Sequence, residues 1–158
     1  MQRTRGMVGS VSIVLGLSLM GGTAVAAAPP CSALITPSQA AAAMGVSAAK
    51  LGSDLGPGIK SCVWYPTDAT AKKKVSMSIG DTKEFDAMSQ LPSMPGRRES
   101  TPVSGIGDAA FQVTMGATNT SLHVKKGGVG FTVIVSGMPL SEAKAAEQTL
   151  ATQILSKL

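Results

Sequence analysis

Three alternating runs between residues 109 and 135 constrain this chain more than any other feature. Ala109, Phe111, Val113 and Met115 are spaced two apart, as are Leu122 and Val124, and then Val129, Phe131, Val133 and Val135. A period of two puts each set on one face of a strand. The breaks at 116–120 and 126–128 contain Gly or Asn, as tight turns require. Strands joined so closely pair antiparallel, so this stretch predicts a meander.

A second strand pair lies upstream. Residues 59–65 read as a strand stopped by Pro66, with its buried face left open. Residues 73–79 alternate, with Val75, Met77 and Ile79 on one face and Lys74, Ser76 and Ser78 on the other. A turn over 67–72 makes the two runs a hairpin.

Helix signals frame these strands. Thr36-Pro37-Ser38-Gln39 combines a cap, a proline at the first helical position and a capping-box partner, and Gly45 suits the end. Asp81-Thr82-Lys83-Glu84 has the form of a second capping box, with Phe85, Met88 and Leu91 following as an apolar stripe ended by Pro92 and Pro95. Ser141-Glu142 opens a last helix, with Leu140, Ala143, Leu150, Ile154 and Leu158 along one side. Residues 46–58 and 92–107 read as connections. The predicted order is α-β-β-α-β-β-β-α, an α+β domain with an antiparallel sheet of about five strands and helices packed on one face.

The first 28 residues carry an address. Arg3 and Arg5 precede an apolar run from Met7 to Met20, and Thr23-Ala24-Val25-Ala26-Ala27 offers small residues for cleavage after Ala26 or Ala28. This is the layout of a secretory signal peptide. The run of about 14 residues is shorter than the roughly 20 a spanning helix needs. Lipid attachment at Cys31 is not expected, because Pro29-Pro30 stand where a small residue is required. Residues 29–158 then form one domain, placed in the periplasm or outside the cell. Losing Arg3 and Arg5 leaves twelve Lys/Arg against nine Asp/Glu, or +3. A mildly basic surface permits an anionic envelope polymer without requiring one.

Cys31 and Cys62 are the only cysteines. In an exported chain an even pair reads as a disulfide. Closing a loop of about 32 residues contributes roughly 3.5–4 kcal/mol in the chain-entropy model. Two thiols make a poor zinc site, and there is no Cys-x-x-Cys spacing for redox work.

Several stretches together carry a family likeness. Cys31-Ser32-Ala33-Leu34-Ile35-Thr36 precedes a helix, and Ser61-Cys62-Val63-Trp64 lies in a strand. Pro102-Val103-Ser104-Gly105-Ile106-Gly107-Asp108-Ala109-Ala110-Phe111 leads into the meander, and a terminal helix follows. In these segments the chain resembles small exported bacterial proteins and lipoproteins of unknown function. The resemblance covers most of residues 29–158 and implies an α+β fold with one disulfide. It implies no activity. The lipid-attachment motif of the lipoprotein members is missing here, so tethering does not carry over.

Chemistry has few places to reside. His123 is the only histidine, and a Ser-His-Asp set would have to use it. Alternation places it mid-strand on the polar side, as a solvated residue. It lacks partners for a metal site, and neither metal nor cofactor is expected. Ser104-Gly105-Ile106-Gly107-Asp108 lacks the third glycine and the following helix of a phosphate loop, and reads as a tight turn in which Asp108 bonds backbone amides. The basic clusters Lys72-Lys73-Lys74, Arg97-Arg98 and Lys125-Lys126 fall at turns without stacking aromatics, so nucleic acid is not expected.

The alternation also assembles one face. Lys74, Ser76, Ser78, Gln112, Thr114, Ser121, His123, Lys125 and Thr132 are expected opposite the core, as a hydroxyl-rich, weakly basic surface for an envelope protein or glycan. The expected function is a non-enzymatic binding or accessory protein using this face or the loop with Arg97 and Arg98. The alternatives are a secreted inhibitor of a hydrolase presenting the same loop, and a hydrolase using His123.

Overall fold

The computed structural model describes residues 29–52 and 61–158. The segment read as a signal peptide, 1–28, lies outside the described residues. So do 53–60, which include the last six residues of the expected 46–58 connection and the first two residues of the 59–65 strand.

The chain runs α1 (Cys31–Leu34), α2 (Pro37–Met44), β1 (Ala49–Leu51), β2 (Ser61–Pro66), β3 (Lys74–Asp81), α3 (Lys83–Ser89), β4 (Glu99–Pro102), β5 (Ala109–Met115), β6 (Asn119–Lys126), β7 (Val129–Ser136) and α4 (Leu140–Leu155). All seven strands form one antiparallel sheet in the order β1-β2-β3-β7-β6-β5-β4. The α+β class holds, with seven strands among the described residues rather than about five. The two unexpected strands, β1 and β4, are the short edges. Each has too few residues for a periodic signal and is drawn into the sheet by a neighbour's free backbone groups.

The main core lies between the sheet and α1, α2 and α4. Cys62, Trp64, Val75, Met77, Ile79, Leu122, Val124, Phe131, Val133 and Val135 meet Leu34, Ile35, Ala40, Met44, Ala143, Leu150, Ala151 and Ile154. The register explains the set, since Val75, Met77 and Ile79 lie opposite Val135, Val133 and Phe131. Trp64 is fully buried in this layer, and burying so large a side chain contributes on the order of 2–3 kcal/mol. The disulfide joins Cys31 to Cys62, with Cα atoms 6.0 Å apart. It fastens α1 to the interior strand β2.

Helix α2 forms as its sequence predicts. Thr36 Oγ1 accepts from the Gln39 amide at 3.2 Å, Gln39 Oε1 accepts from the Thr36 amide at 2.9 Å, and Gly45 takes a left-handed conformation at φ 62°. Lys73 Nζ donates to Met44 O at 2.7 Å, satisfying a carbonyl at the helix end. The second expected capping box does not form. Asp81 ends β3 and accepts the Lys83 amide at 2.9 Å, two residues on.

Helix α3 corrects the expectation that the helices share one face. It crosses to the other side of the sheet, where Phe85 and Met88 pack on Phe111 and Val113. This also reverses the expected orientation of β5. Ala109, Phe111, Val113 and Met115 do share a face, but it is the α3 face, and Gln112 and Thr114 turn towards α4. Val113 lies opposite Ser121, and Gln112 opposite Leu122. Alternation defines two sets of side chains and does not say which set meets which layer.

Candidate functional site

Seven of the nine residues expected on the polar sheet face share one side of the sheet, Gln112 and Thr114 being the exceptions, and that side falls into two unequal halves. On β1, β2 and β3 no helix of the described residues lies over it. On β5 and β6 it is covered by α3 and the chain that follows.

In the covered half, Phe85 meets Phe111 edge-on at 5.0 Å between centroids, and Phe111 stacks on His123 at 4.8 Å with the rings 7° from parallel. Phe111 and His123 are direct cross-strand partners, which sets this stacking. His123 Nε2 lies 3.0 Å from Ser121 Oγ, and Nδ1 lies 3.0 Å from Thr132 Oγ1. His123 and Ser121 are each 4% exposed. The expected solvated histidine is therefore a core residue of a second, smaller apolar layer. Burial, with a lesser contribution from the Arg98 guanidinium, holds its pKa down at about 4. Neutral imidazole between two hydroxyls can satisfy both by donating from one nitrogen and accepting at the other. Ser121 and His123 are within the reach of a nucleophile and its base. The partner on the far nitrogen, however, is a threonine rather than a carboxylate, and neighbouring side chains cover the serine. Lys125 completes this half, with Nζ 3.0 Å from Asp86 Oδ1 and 5.9 Å from the Phe85 centroid.

Arg98 belongs to the same cover. It is 8% exposed, and its guanidinium donates to Met88 O at 2.9 Å, Leu91 O at 2.8 Å and Pro92 O at 3.3 Å. It thus ties the end of α3 to the loop behind it. The Met94 amide donates to Arg98 O, and the Arg98 amide to Met94 O, closing a tight turn. Leu91, Met94 and Arg97 are left exposed on the loop. Of the two arginines expected to make a contact, only Arg97 faces solvent.

The uncovered half keeps Lys74, Ser76 and Ser78 of the expected face and adds Lys50, Ser61, Val63, Tyr65, Ile134 and Ser136. Lys50 and Lys74 are exposed, and Tyr65 is 43% exposed. Lys50 lies directly opposite Tyr65. The β2–β3 register places Lys74 on the other flank of Tyr65, and Lys74 in turn faces Ser136. The phenol ring rests against Gly52. A Cβ on that glycine would come within 2.6 Å of Tyr65 Cε2.

Gln112 and Thr114 do not join this surface. Gln112 is buried under α4, where its Nε2 donates to Glu147 Oε2 and, at 2.6 Å, to Thr120 Oγ1. Glu147 has no exposed surface, and its Oε1 accepts the Val135 amide at 2.9 Å. The β6–β7 pairing runs only from Lys126 and Val129 to Leu122 and Val133. Beyond that point Glu147 takes the place of a strand partner for Val135. Burial pushes its pKa up to about 7, against the pull of the Val135 amide, Gln112 and Thr120. Sequence reasoning missed Glu147. Its signal was an acid in the apolar stripe of α4, four residues after Ala143 and three before Leu150.

Elsewhere, Asp108 does bond a backbone amide, but in the β6–β7 turn rather than in its own. Its Oδ2 accepts the Gly127 amide at 2.6 Å and its Oδ1 accepts from Lys126 Nζ at 2.9 Å. A cleft of about 410 Å³ between α2 and α4 has Ala42, Ala43, Ala145, Ala146 and Glu142 in its lining. Among the described residues no cluster of three or more His, Cys, Asp or Glu is placed to hold a metal ion. Among them, too, no helix is long and apolar enough to cross a membrane. No family model, curated protein or solved structure matches this chain.

Proposed function

We propose that this chain is an exported, non-enzymatic binding or accessory protein whose contact surface is the uncovered half of the polar sheet face. The observation that carries this reading is the asymmetry of that face. Its β5–β6 half is sealed by Phe85, Phe111 and Arg98, while its β1–β3 half carries no helix among the described residues and presents Lys50, Tyr65, Lys74, Ser76 and Ser78. A flat array of small hydroxyls around one aromatic and two ammonium groups suits polar recognition at low side-chain entropy cost. The disulfide is compatible with an oxidising compartment.

The test is native mass spectrometry of the protein purified from its own host, beside a Ser76→Arg variant. A co-purifying mass that disappears in the variant is expected. A mass retained in the variant puts the contact elsewhere and overturns the reading.

A second reading, inhibition of a hydrolase, draws support from the 90–98 loop. Arg98 orders that loop from within while Leu91, Met94 and Arg97 project from it. An ordered loop loses little entropy on docking. A one-to-one complex with an enzyme that survives Ser76→Arg and fails with Arg97→Ala would select this reading.

A further inference from the structure

Resting on the sheet-face reading, the row Lys50–Tyr65–Lys74 names a class of partner. Three adjacent strands place these residues side by side. Strands lie about 4.8 Å apart, so the two lysine backbones stand roughly 10 Å from each other across the tyrosine. Tyr65 lies over Gly52, where any larger residue would collide with the ring. The ring is thus supported from below and open to solvent beside it. Ser61, Ser76, Ser78 and Ser136 surround the row with hydroxyls. Among the described residues no carboxylate occupies a strand position on this half-face. The nearest turn holds Asp68, whose Oδ1 is engaged by the Thr70 amide at 2.9 Å and hydroxyl at 2.8 Å.

We propose that this row is a docking site for an anionic polysaccharide. One sugar ring stacks on Tyr65, and acidic groups on the flanking sugars meet Lys50 and Lys74. An aromatic side chain offers an apolar surface to the C–H face of a sugar and keeps a hydroxyl for its polar edge. Two ammonium groups on either side match a chain whose charges recur, and the serines exchange hydrogen bonds with its hydroxyls. The face favours this partner over others. A single-stranded nucleic acid is held by aromatics repeated along its path, and this half-face has one. A membrane surface calls for protruding apolar side chains, whereas the apolar members Val63 and Ile134 are partly buried between polar neighbours.

The experiment measures binding of the protein purified from its own host to immobilised polygalacturonate at low and moderate salt. Dextran, a single-stranded oligonucleotide and anionic phosphatidylglycerol vesicles serve as comparisons. The expected result is salt-sensitive binding to polygalacturonate, stronger than to any comparison. Lys50→Gln and Lys74→Gln should each weaken it about two- to five-fold. Tyr65→Ala should weaken it about ten-fold or more, while Tyr65→Phe, which keeps the ring over Gly52, should stay within about two-fold. Equal weakening by Lys144→Gln, on α4 across the sheet, would mean non-specific charge attraction and overturn the proposal. Preference for the oligonucleotide or the vesicles overturns it as well. Absence of polygalacturonate binding, with a co-purifying mass still lost in Ser76→Arg, refutes the polysaccharide and leaves the sheet-face reading intact. Absence of both removes the two together.

Discussion

Replacing Glu147 by glutamine should give this protein a pH dependence of stability that the parent lacks. Two buried groups titrate in opposite senses. His123 is held at about 4, against an ordinary 6.5. As the pH falls through 6.5 the unfolded chain takes up a proton that the native state refuses until about 4. Stability from this group is therefore complete above 6.5 and is lost on the way down to 4. At about 1.4 kcal/mol for each tenfold difference in proton affinity, the loss is at most about 3 kcal/mol. Glu147 is raised to about 7, against an ordinary 4.5. Here the native state takes the proton first, so stability is complete below 4.5 and is lost as the pH rises through 7, again by about 3 kcal/mol. Between 4.5 and 6.5 the two slopes oppose each other, and the parent should be nearly flat. Glu147→Gln leaves an acceptor for the Val135 amide and offers a donor to Gln112 Oε1, a buried atom with no partner among the described residues. The variant should fold, gain stability at pH 7.5, and then lose about 3 kcal/mol on acidification to pH 4. Urea unfolding at half-unit pH steps, followed through the single tryptophan, Trp64, measures this directly. Asp68 and Asp108 are both held below the ordinary aspartate value by hydrogen bonds, so they act at lower pH and equally in both proteins. Parallel pH profiles for parent and variant would refute the reasoning.

Three further outcomes are expected. Cys62→Ser should lower stability by about 3–4 kcal/mol, read as a reduced urea midpoint matched by the parent under reducing conditions. Arg98→Ala should leave the Met88, Leu91 and Pro92 carbonyls without their shared donor and cost about 2–3 kcal/mol, with faster hydrogen exchange confined to residues 88–98, whereas Arg97→Ala should shift stability by less than about 0.5 kcal/mol. Phe85→Ala should open the cover over Phe111 and His123, cost about 3 kcal/mol, and move the histidine's titration by NMR from about 4 back towards 6.5; an unmoved titration would mean that α3 is not what buries the ring.

Much of this architecture is written locally. The capping box at Thr36 and Gln39, the turn glycines, and the alternation of β3, β6 and β7 depend on neighbours a few residues away, and each forms where those residues place it. The cysteine pair was legible for a different reason, since two thiols alone in a chain have only each other. The candidate site was legible in part. Lys74, Ser76 and Ser78 lie on the open face because β3 is regular and its apolar set is long enough to choose the core.

What the sequence left to the tertiary structure is the assignment of faces and layers. Residues 109–115 alternate cleanly, yet Gln112 goes inward, because Glu147 and Thr120 wait there to bond it and Phe85 waits outside to cover Phe111. His123 is buried for the same reason, since α3 lies above it, an arrangement set between residues some forty positions apart. The edges β1 and β4 become strands only because β2 and β5 offer them unpaired backbone groups. The row at Tyr65 likewise exists only once three strands are in register. Local pattern determines which side chains point together; only long-range packing decides what they point at, because burial energy belongs to pairs of surfaces and not to either one alone.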